Sequence, residues 1–285
     1  MKCIKQNLIC KCYVEAVFCS RNLTAQSVKK EKMFSGKNIR ILKEIAISDF
    51  KVRYQSSILG YVWTLIKPLL LFAVLYVVFS VFMRFPVENY QLYLLLGIII
   101  WNFFAEATSI ALRCFETKQS LITKIYFPRI IVVIASTLTS LLTFLLNMIV
   151  FFVFLAISDI PFSFNFFFMI VYIIELYFII LGISLIISAL YVKFRDLSHI
   201  WDVLLQIGFW ITPIIYPLTM VPEVYHRFIY LNPLARLIEY SRAVFILGHI
   251  PAPILNLVIF LMTVVIMLCG ILFFRHQEAS IPENI

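Results

Sequence analysis

Six almost wholly apolar stretches, each about as long as a bilayer core is thick, decide what this chain can fold into. They run over about residues 59–83, 91–112, 130–157, 164–190, 200–216 and 253–274. A hydrocarbon core of roughly 30 Å takes about twenty helical residues. No water reaches the peptide groups there, so each must be satisfied within its own helix. The stretches therefore predict an all-α integral membrane protein with six transmembrane helices. Composition agrees: only 14% of the residues are charged and 62% are hydrophobic, where a soluble domain carries about 25% charged residues. With 285 residues to spend, the crossings leave little for a globular domain.

The net charge of +9 could suggest a nucleic-acid partner, but the cations sit elsewhere. Twelve of the 24 Lys and Arg precede Ile58. Arg113, Lys118, Lys124 and Arg129 add four, Lys193 and Arg195 two, and Arg275 one, all on one side of the six-span reading. Only Arg84, Arg227, Arg236 and Arg242 fall on the other side. Positive residues mark the cytoplasmic face. The expectation is a multi-pass protein of the cytoplasmic membrane with both termini inside.

Before the first span lies an amphipathic segment, about 34–58. Ile41, Leu42, Ile45, Phe50 and Tyr54 recur at helical spacing, with Lys43, Lys51 and Arg53 between them. Such a helix lies in the membrane interface, cations toward the headgroups. Residues 1–33 form an extension of a different kind. Cys3, Cys10, Cys12 and Cys19 stand as C-x6-C-x-C-x6-C, without the short paired spacing of structural zinc sites. Met33 is a second candidate start, because the later motifs all lie beyond it.

The stretch 217–250 is too apolar for a free loop and too broken by Pro217, Pro222 and Pro233 for one span. Two short re-entrant helices are expected there, with Asn232 and Arg242 among their polar members. Non-helical backbone at membrane depth needs protein or a water-filled cavity around it. Within the spans, Glu106, Glu175 and Asp202 are scattered singly. Acid–base or metal chemistry needs groups paired in reach of one substrate. No catalytic or metal site is expected. His199 and Asp202 at i, i+3 read as an ion pair or cap, and Asp196 as the cap of the fifth helix.

Four segments now carry a resemblance. They are DFKVRYQSSILGYVWTLIKPLL from Asp49, TKQSLITKIYFPR from Thr117, KFRDLSHI from Lys193, and TPIIYP with YLNPLARLIEYSR after the fifth span. In this order, between these spans, they resemble the membrane subunit of a polysaccharide-exporting ABC transporter. This is the ABC-2 permease type that exports O-antigen, capsule or teichoic acid. The likeness covers about residues 34–275. Lys67 departs from it, standing where the family pattern would put a neutral residue before Pro68.

The resemblance implies a homodimer, each copy docked on a cytoplasmic ATPase subunit that uses ATP and magnesium. This chain has no G-x-x-x-x-G-K-[ST] phosphate loop of its own, so no cofactor is expected on it. The stretch 113–129 then resembles a coupling segment, with Lys118, Leu121, Ile122, Lys124 and Tyr126 facing the ATPase. A lipid-linked polysaccharide as cargo implies an aromatic path, since ring faces stack on sugars without demanding one sequence. Tyr61, Trp63, Tyr76, Trp201, Phe209, Trp210 and Tyr216 are its candidates, with Lys67 at the inner mouth for an anionic lipid head. Two other readings remain open at this point. One is an ABC-2 permease for small hydrophobic drugs or lipids. The other is a membrane-embedded transferase acting on lipid-linked sugars.

Overall fold

The structure is a computed structural model that describes residues 36–55, 60–125, 127–158, 160 and 164–278. The cysteine-bearing extension, Met33 and Tyr126 lie outside the described residues, as does the side chain of Tyr61. All regular structure among the described residues is helical. By contacts the chain divides at Ile41. Of the first unit, residues 36–41 are described, as the opening turns of helix α1, Gly36–Gln55. The second unit holds everything that follows.

That unit begins with the rest of α1. Next is α2, Gly60–Tyr76, which carries Pro68 inside it and runs on as a π-helical turn, Val77–Phe82. Helix α3 is Tyr90–Leu112. Two short helices follow, α4 (Cys114–Thr117) and α5 (Gln119–Lys124). Helix α6 is Ile130–Ile157, and α7, Phe168–Tyr191, is led in by a 3-10 turn at Phe164–Phe167. Helix α8 is Leu197–Ile211, α9 is Glu223–Ile229, α10 is Pro233–Phe245 and α11 is Pro253–Gln277.

Among the described residues five helices are long and apolar enough to cross a bilayer: Trp63–Phe82, Tyr90–Leu112, Ile130–Ile157, Asn165–Tyr191 and Pro253–Gln277. The expected fifth crossing, about 200–216, is shorter as a helix than its sequence suggests. Helix α8 has 15 residues, which at 1.5 Å each is about 22 Å. It stops at Thr212, whose backbone is extended at φ −75°, ψ 135°. The cause is Pro213: its ring crowds the preceding residue out of helical conformation. Asp196 occupies the N-cap position of α8, yet its side chain makes no capping bond, which corrects the expected cap.

The bundle is organised around α3. It packs against α2, α6, α7, α8 and α10, and Leu92, Leu94, Leu96, Ile98, Ala107 and Ala111 on its several faces are fully buried. A helix apolar all round belongs in the middle of a bundle. Helix α6 meets it with small polar side chains. Ser136, Thr137 and Thr139 return their hydroxyls to the carbonyls of Val132, Val133 and Ala135 at 3.0, 3.2 and 3.1 Å. Each is thus satisfied within its own helix, Thr137 also meeting the Tyr177 hydroxyl of α7 at 3.3 Å, and such small side chains let backbones come close. Phe103 of α3 stacks on Phe144 of α6 at 4.6 Å between centroids.

The stretch expected to hold two short helices holds α9 and α10, and the two differ. No residue of α9 is buried, whereas most of α10 is, from Leu234 to Phe245. Helix α10 packs against α3, α7 and α11. Its start is well specified: Asn232 accepts a hydrogen bond from the Leu234 amide at 3.0 Å, and Pro233 opens the first turn.

Candidate functional site

The segment 113–129 gathers the cations of the first loop, and four side-chain contacts tie it to other elements. Lys118 pairs with Asp49 of α1. The Tyr191 hydroxyl at the end of α7 donates to Glu116 at 2.7 Å. Arg113 lies 4.0 Å from Asp202 on α8. Arg129 donates to the Glu278 carbonyl just past α11. The segment is therefore in contact with four other elements at one end of the bundle.

The expected coupling residues take different places here. Lys118 breaks the helix between α4 and α5 (φ −113°, ψ 21°) and turns inward to Asp49. Leu121 and Ile122 are half-buried, and Lys124 is exposed beside the exposed Ile125. Cys114 is sealed behind this surface, and burial pushes its thiol up to about 12, so it stays protonated. Reversing one charge of the Asp49–Lys118 pair should lower the thermal midpoint of the purified protein by a few degrees. Asp49→Lys with Lys118→Asp should regain most of the loss. A double variant no better than the singles would mean that the pair contributes nothing.

The candidate path residues do not form one row. Trp63 is exposed, and Lys67 is exposed one turn further along α2. Both open onto a cleft of about 650 Å³ between α2, α3 and α6, which also takes in Asn102, Glu106, Ser109, Thr143 and Asn147. Tyr76 lies 13 residues beyond Trp63, about 20 Å along the helix. It joins an aromatic chain of different make-up, with Phe72 at 5.7 Å and Tyr90 at 6.4 Å. Trp201 and Phe209 pack onto α3: the Trp201 indole donates to Thr108 at 3.1 Å, and Phe209 meets Trp101 edge-on at 6.1 Å. Trp210 faces outward.

Tyr216 acts as a clamp. Its hydroxyl donates to the carbonyls of Trp210 and Ile211 at 3.1 and 2.9 Å, two of the groups that the end of α8 leaves without a helical partner.

The irregular backbone after α8 is held by a buried arginine. Arg242 of α10 donates from Nη1 to the Pro213 carbonyl at 2.7 Å and to Glu239 at 2.8 Å. Its Nη2 donates to the Ile214 carbonyl at 2.7 Å, and its Nε to the Tyr93 carbonyl at 3.2 Å. The guanidinium also lies over the Tyr93 ring, 3.4 Å from the centroid. Tyr90 and Tyr93 donate to the carbonyls of Ile215 and Tyr216 at 3.0 and 3.2 Å. Four successive carbonyls, 213–216, thus find side-chain donors where helix bonding has ended.

The residues of the re-entrant expectation divide accordingly. Asn232 both caps α10 and donates to the Thr212 hydroxyl at 3.1 Å. Pro217 and Pro222 mark the ends of a one-turn 3-10 segment, Leu218–Met220. Sequence reading missed Tyr93, Glu239 and Asn147. The first two look like ordinary aromatic and loop charge, and Asn147 is one amide in a long apolar run. Glu106 reads in the sequence as a single scattered charge, and its place four residues from Asn102 on the same helix was not used there.

The family model described as ABC-2 type transporter matches residues 42–246, from within α1 to just past α10. The chain belongs to the ABC-2 type transporter family. It is a multi-pass membrane protein and a transport component. An O-antigen export system permease protein RfbA of Klebsiella pneumoniae is 33% identical over 247 residues, 85% of this chain and 94% of the relative. A protein of the same description from Myxococcus xanthus is 27% identical over 86% of this chain and 95% of its own length. The polysialic acid transport protein KpsM of Escherichia coli is 23% identical over 84% of this chain and 94% of its own length. Similarity to these relatives therefore spans nearly their whole length.

Proposed function

We propose that this chain is the permease subunit of an ATP-driven ABC exporter that moves a polysaccharide, carried on a lipid anchor, across the cytoplasmic membrane. The observation that carries this reading is the 33% identity to an O-antigen export permease over 94% of that protein. A fold with five membrane-length helices among the described residues, α3 in the middle of the bundle, supports it. In this reading α8 and the extended 212–217 segment together make a sixth, short crossing, α1 lies in the inner interface, and α9 with α10 dips into the outer leaflet. Both termini are cytoplasmic, two copies pair, and each engages an ATPase subunit through 113–129. The test is deletion: the polymer should accumulate on its lipid inside the cell, and the chain should copurify with an ATPase and stimulate its turnover. Normal surface polymer after deletion would sink the proposal.

The coupling surface gives a narrower expectation. With Lys118 engaged by Asp49, the groups left for the ATPase among the described residues are Leu121, Ile122, Lys124 and the exposed Ile125. Ile122→Glu should cut the stimulated ATPase rate about tenfold, the scale of one lost apolar anchor at an interface. The amount of protein in the membrane should not change. Unchanged stimulation would place the ATPase contact elsewhere.

A further inference from the structure

The cleft between α2, α3 and α6 has an ordered distribution of polar groups. Depth follows from the rise per residue, counted from the end where 113–129 lies. Glu106 is six residues in from Leu112, about 9 Å, and Asn102 about 15 Å. Asn147 is 17 residues in from Ile130, about 25 Å. Lys67 is the fifth residue of its span, about 6 Å past Trp63. Charges stand near the mouth and neutral amides lie deeper, while Trp63, Phe103 and Phe144 supply aromatic wall.

No simpler occupant uses all of this. Acyl chains need none of these groups, and an ionised side chain near the bilayer centre costs on the order of 2.5–3.5 kcal/mol. A bare anion would use Lys67 but not two amides, nor a carboxylate of its own sign. A short sugar chain bearing a phosphate uses every one. The ammonium meets the phosphate as a point charge. Carboxylate and amides exchange hydrogen bonds with hydroxyls, and an indole face covers the ring's C–H surface. About 650 Å³ falls inside the roughly 300–1,000 Å³ typical of small-molecule sites.

We propose that this cleft is a headgroup site contained within each protomer, where Lys67 holds the phosphate of a lipid-linked sugar, Glu106 and Asn102 hold hydroxyls of the sugar next to it, and Asn147 meets a sugar further along the chain. The inference rests on the export reading above and narrows it. It puts the capture site inside one chain and not between two copies.

The test uses the full transporter with its ATPase in phosphatidylcholine nanodiscs, carrying Thr64→Cys as a reporter in the cleft wall. Labelling at position 64 by a small membrane-permeant maleimide is read by peptide mass spectrometry. Four probes separate the chemistry: the decyl phosphate ester of glucose, decyl phosphate, decyl glucoside and glucose 1-phosphate. The glucose ester should slow labelling at least fivefold in every copy. Decyl phosphate and decyl glucoside should each do markedly less, and glucose 1-phosphate should protect only at high concentration, lacking an anchor. Lys67→Gln should weaken the ester about tenfold or more, the scale of one charge-assisted contact, and Asn102→Leu should weaken the ester but not decyl phosphate. Equal protection by decyl phosphate and the ester removes the sugar from the site. Protection that halts at half the cysteines puts the site between copies. Protection untouched by Lys67→Gln and Asn102→Leu, or absent altogether, overturns the proposal. ATPase stimulation in the same nanodiscs tells this failure apart from failure of the export reading, because only the latter would abolish stimulation by the unmodified chain.

Discussion

Replacing Arg242 with methionine should remove most of the folded protein from the membrane. Methionine keeps much of the volume, so the effect isolates the guanidinium. Its loss strips the Pro213 and Ile214 carbonyls of their donors and leaves the Glu239 carboxylate without its cation. An orphaned buried polar group costs about 1–3 kcal/mol, and stranding the Glu239 carboxylate, itself a quarter exposed, adds less than the about 3–5 kcal/mol of a fully buried pair. Even the first figure is a large share of the stability of a typical protein. Arg242→Lys should recover little, because a single ammonium cannot reach Tyr93, Pro213 and Ile214 at once. Adding Glu239→Leu to Arg242→Met should recover part of the loss by removing the stranded carboxylate, but the carbonyls stay orphaned.

The neighbouring glycine offers a second handle on the same clamp. A Cβ at Gly97 would lie 2.7 Å from Arg242 Nη2, so Gly97→Ala should reproduce a milder form of the defect. Fluorescence size-exclusion yield and thermal midpoint in mild detergent read all four variants. A folded yield for Arg242→Met within a few per cent of the parent would show that the segment after α8 stands without the clamp.

Arg242 also shows what kind of feature sequence reading reaches. Apolar length gave five of the crossings within a few residues, because a bilayer imposes one length on every helix that spans it. It overran on α8, where 200–216 reads apolar throughout but Pro213 ends the helix at its neighbour. Counting cations by loop put Arg242 among the outer charges, yet the structure buries it on Tyr93. Little local to Arg242 says so, since apart from Glu239, one turn before it, its partners lie 28 to 149 residues away in the chain. The same applies to Lys118. A lysine in a basic loop reads as a partner-facing charge, and only the packing of α1 beside it shows the pairing with Asp49. Aromatic residues were the least legible. Trp63, Tyr76 and Phe209 are alike in sequence, but one lines a cleft, one joins an aromatic chain and one packs on α3.

Gly270 and Gly182 are where the outermost helix depends on having no side chains at all. Helix α11 is mostly exposed, with few buried residues, and its principal neighbour is α7. In lipid there is no hydrophobic drive between helices, so association rests on close van der Waals contact between small residues. A Cβ built on Gly270 would lie 2.8 Å from the Gly182 Cα, and nearer still to its carbonyl oxygen. A Cβ on Gly182 would lie 2.8 Å from the Ile266 carbonyl oxygen. Both obstacles are backbone, so no rotamer change relieves them and the helices must separate. In an exposed helix Gly→Ala stabilises by about 0.5–1 kcal/mol. Here the clash opposes that gain with about 1–3 kcal/mol of overpacking, and parting the helices forfeits their other contacts as well. Gly270→Ala should therefore lower the thermal midpoint by several degrees, and Gly270→Val should leave little folded protein. Gly182→Ala should match Gly270→Ala. The double alanine variant should fall well short of the sum, because both substitutions open the same gap. Gly36→Ala, where nothing lies within 4 Å of the added methyl, is the control and should cost nothing. If Gly270→Ala melts at or above the parent temperature, α7 and α11 do not approach as closely as these distances require, and the seating of the last helix must be redrawn.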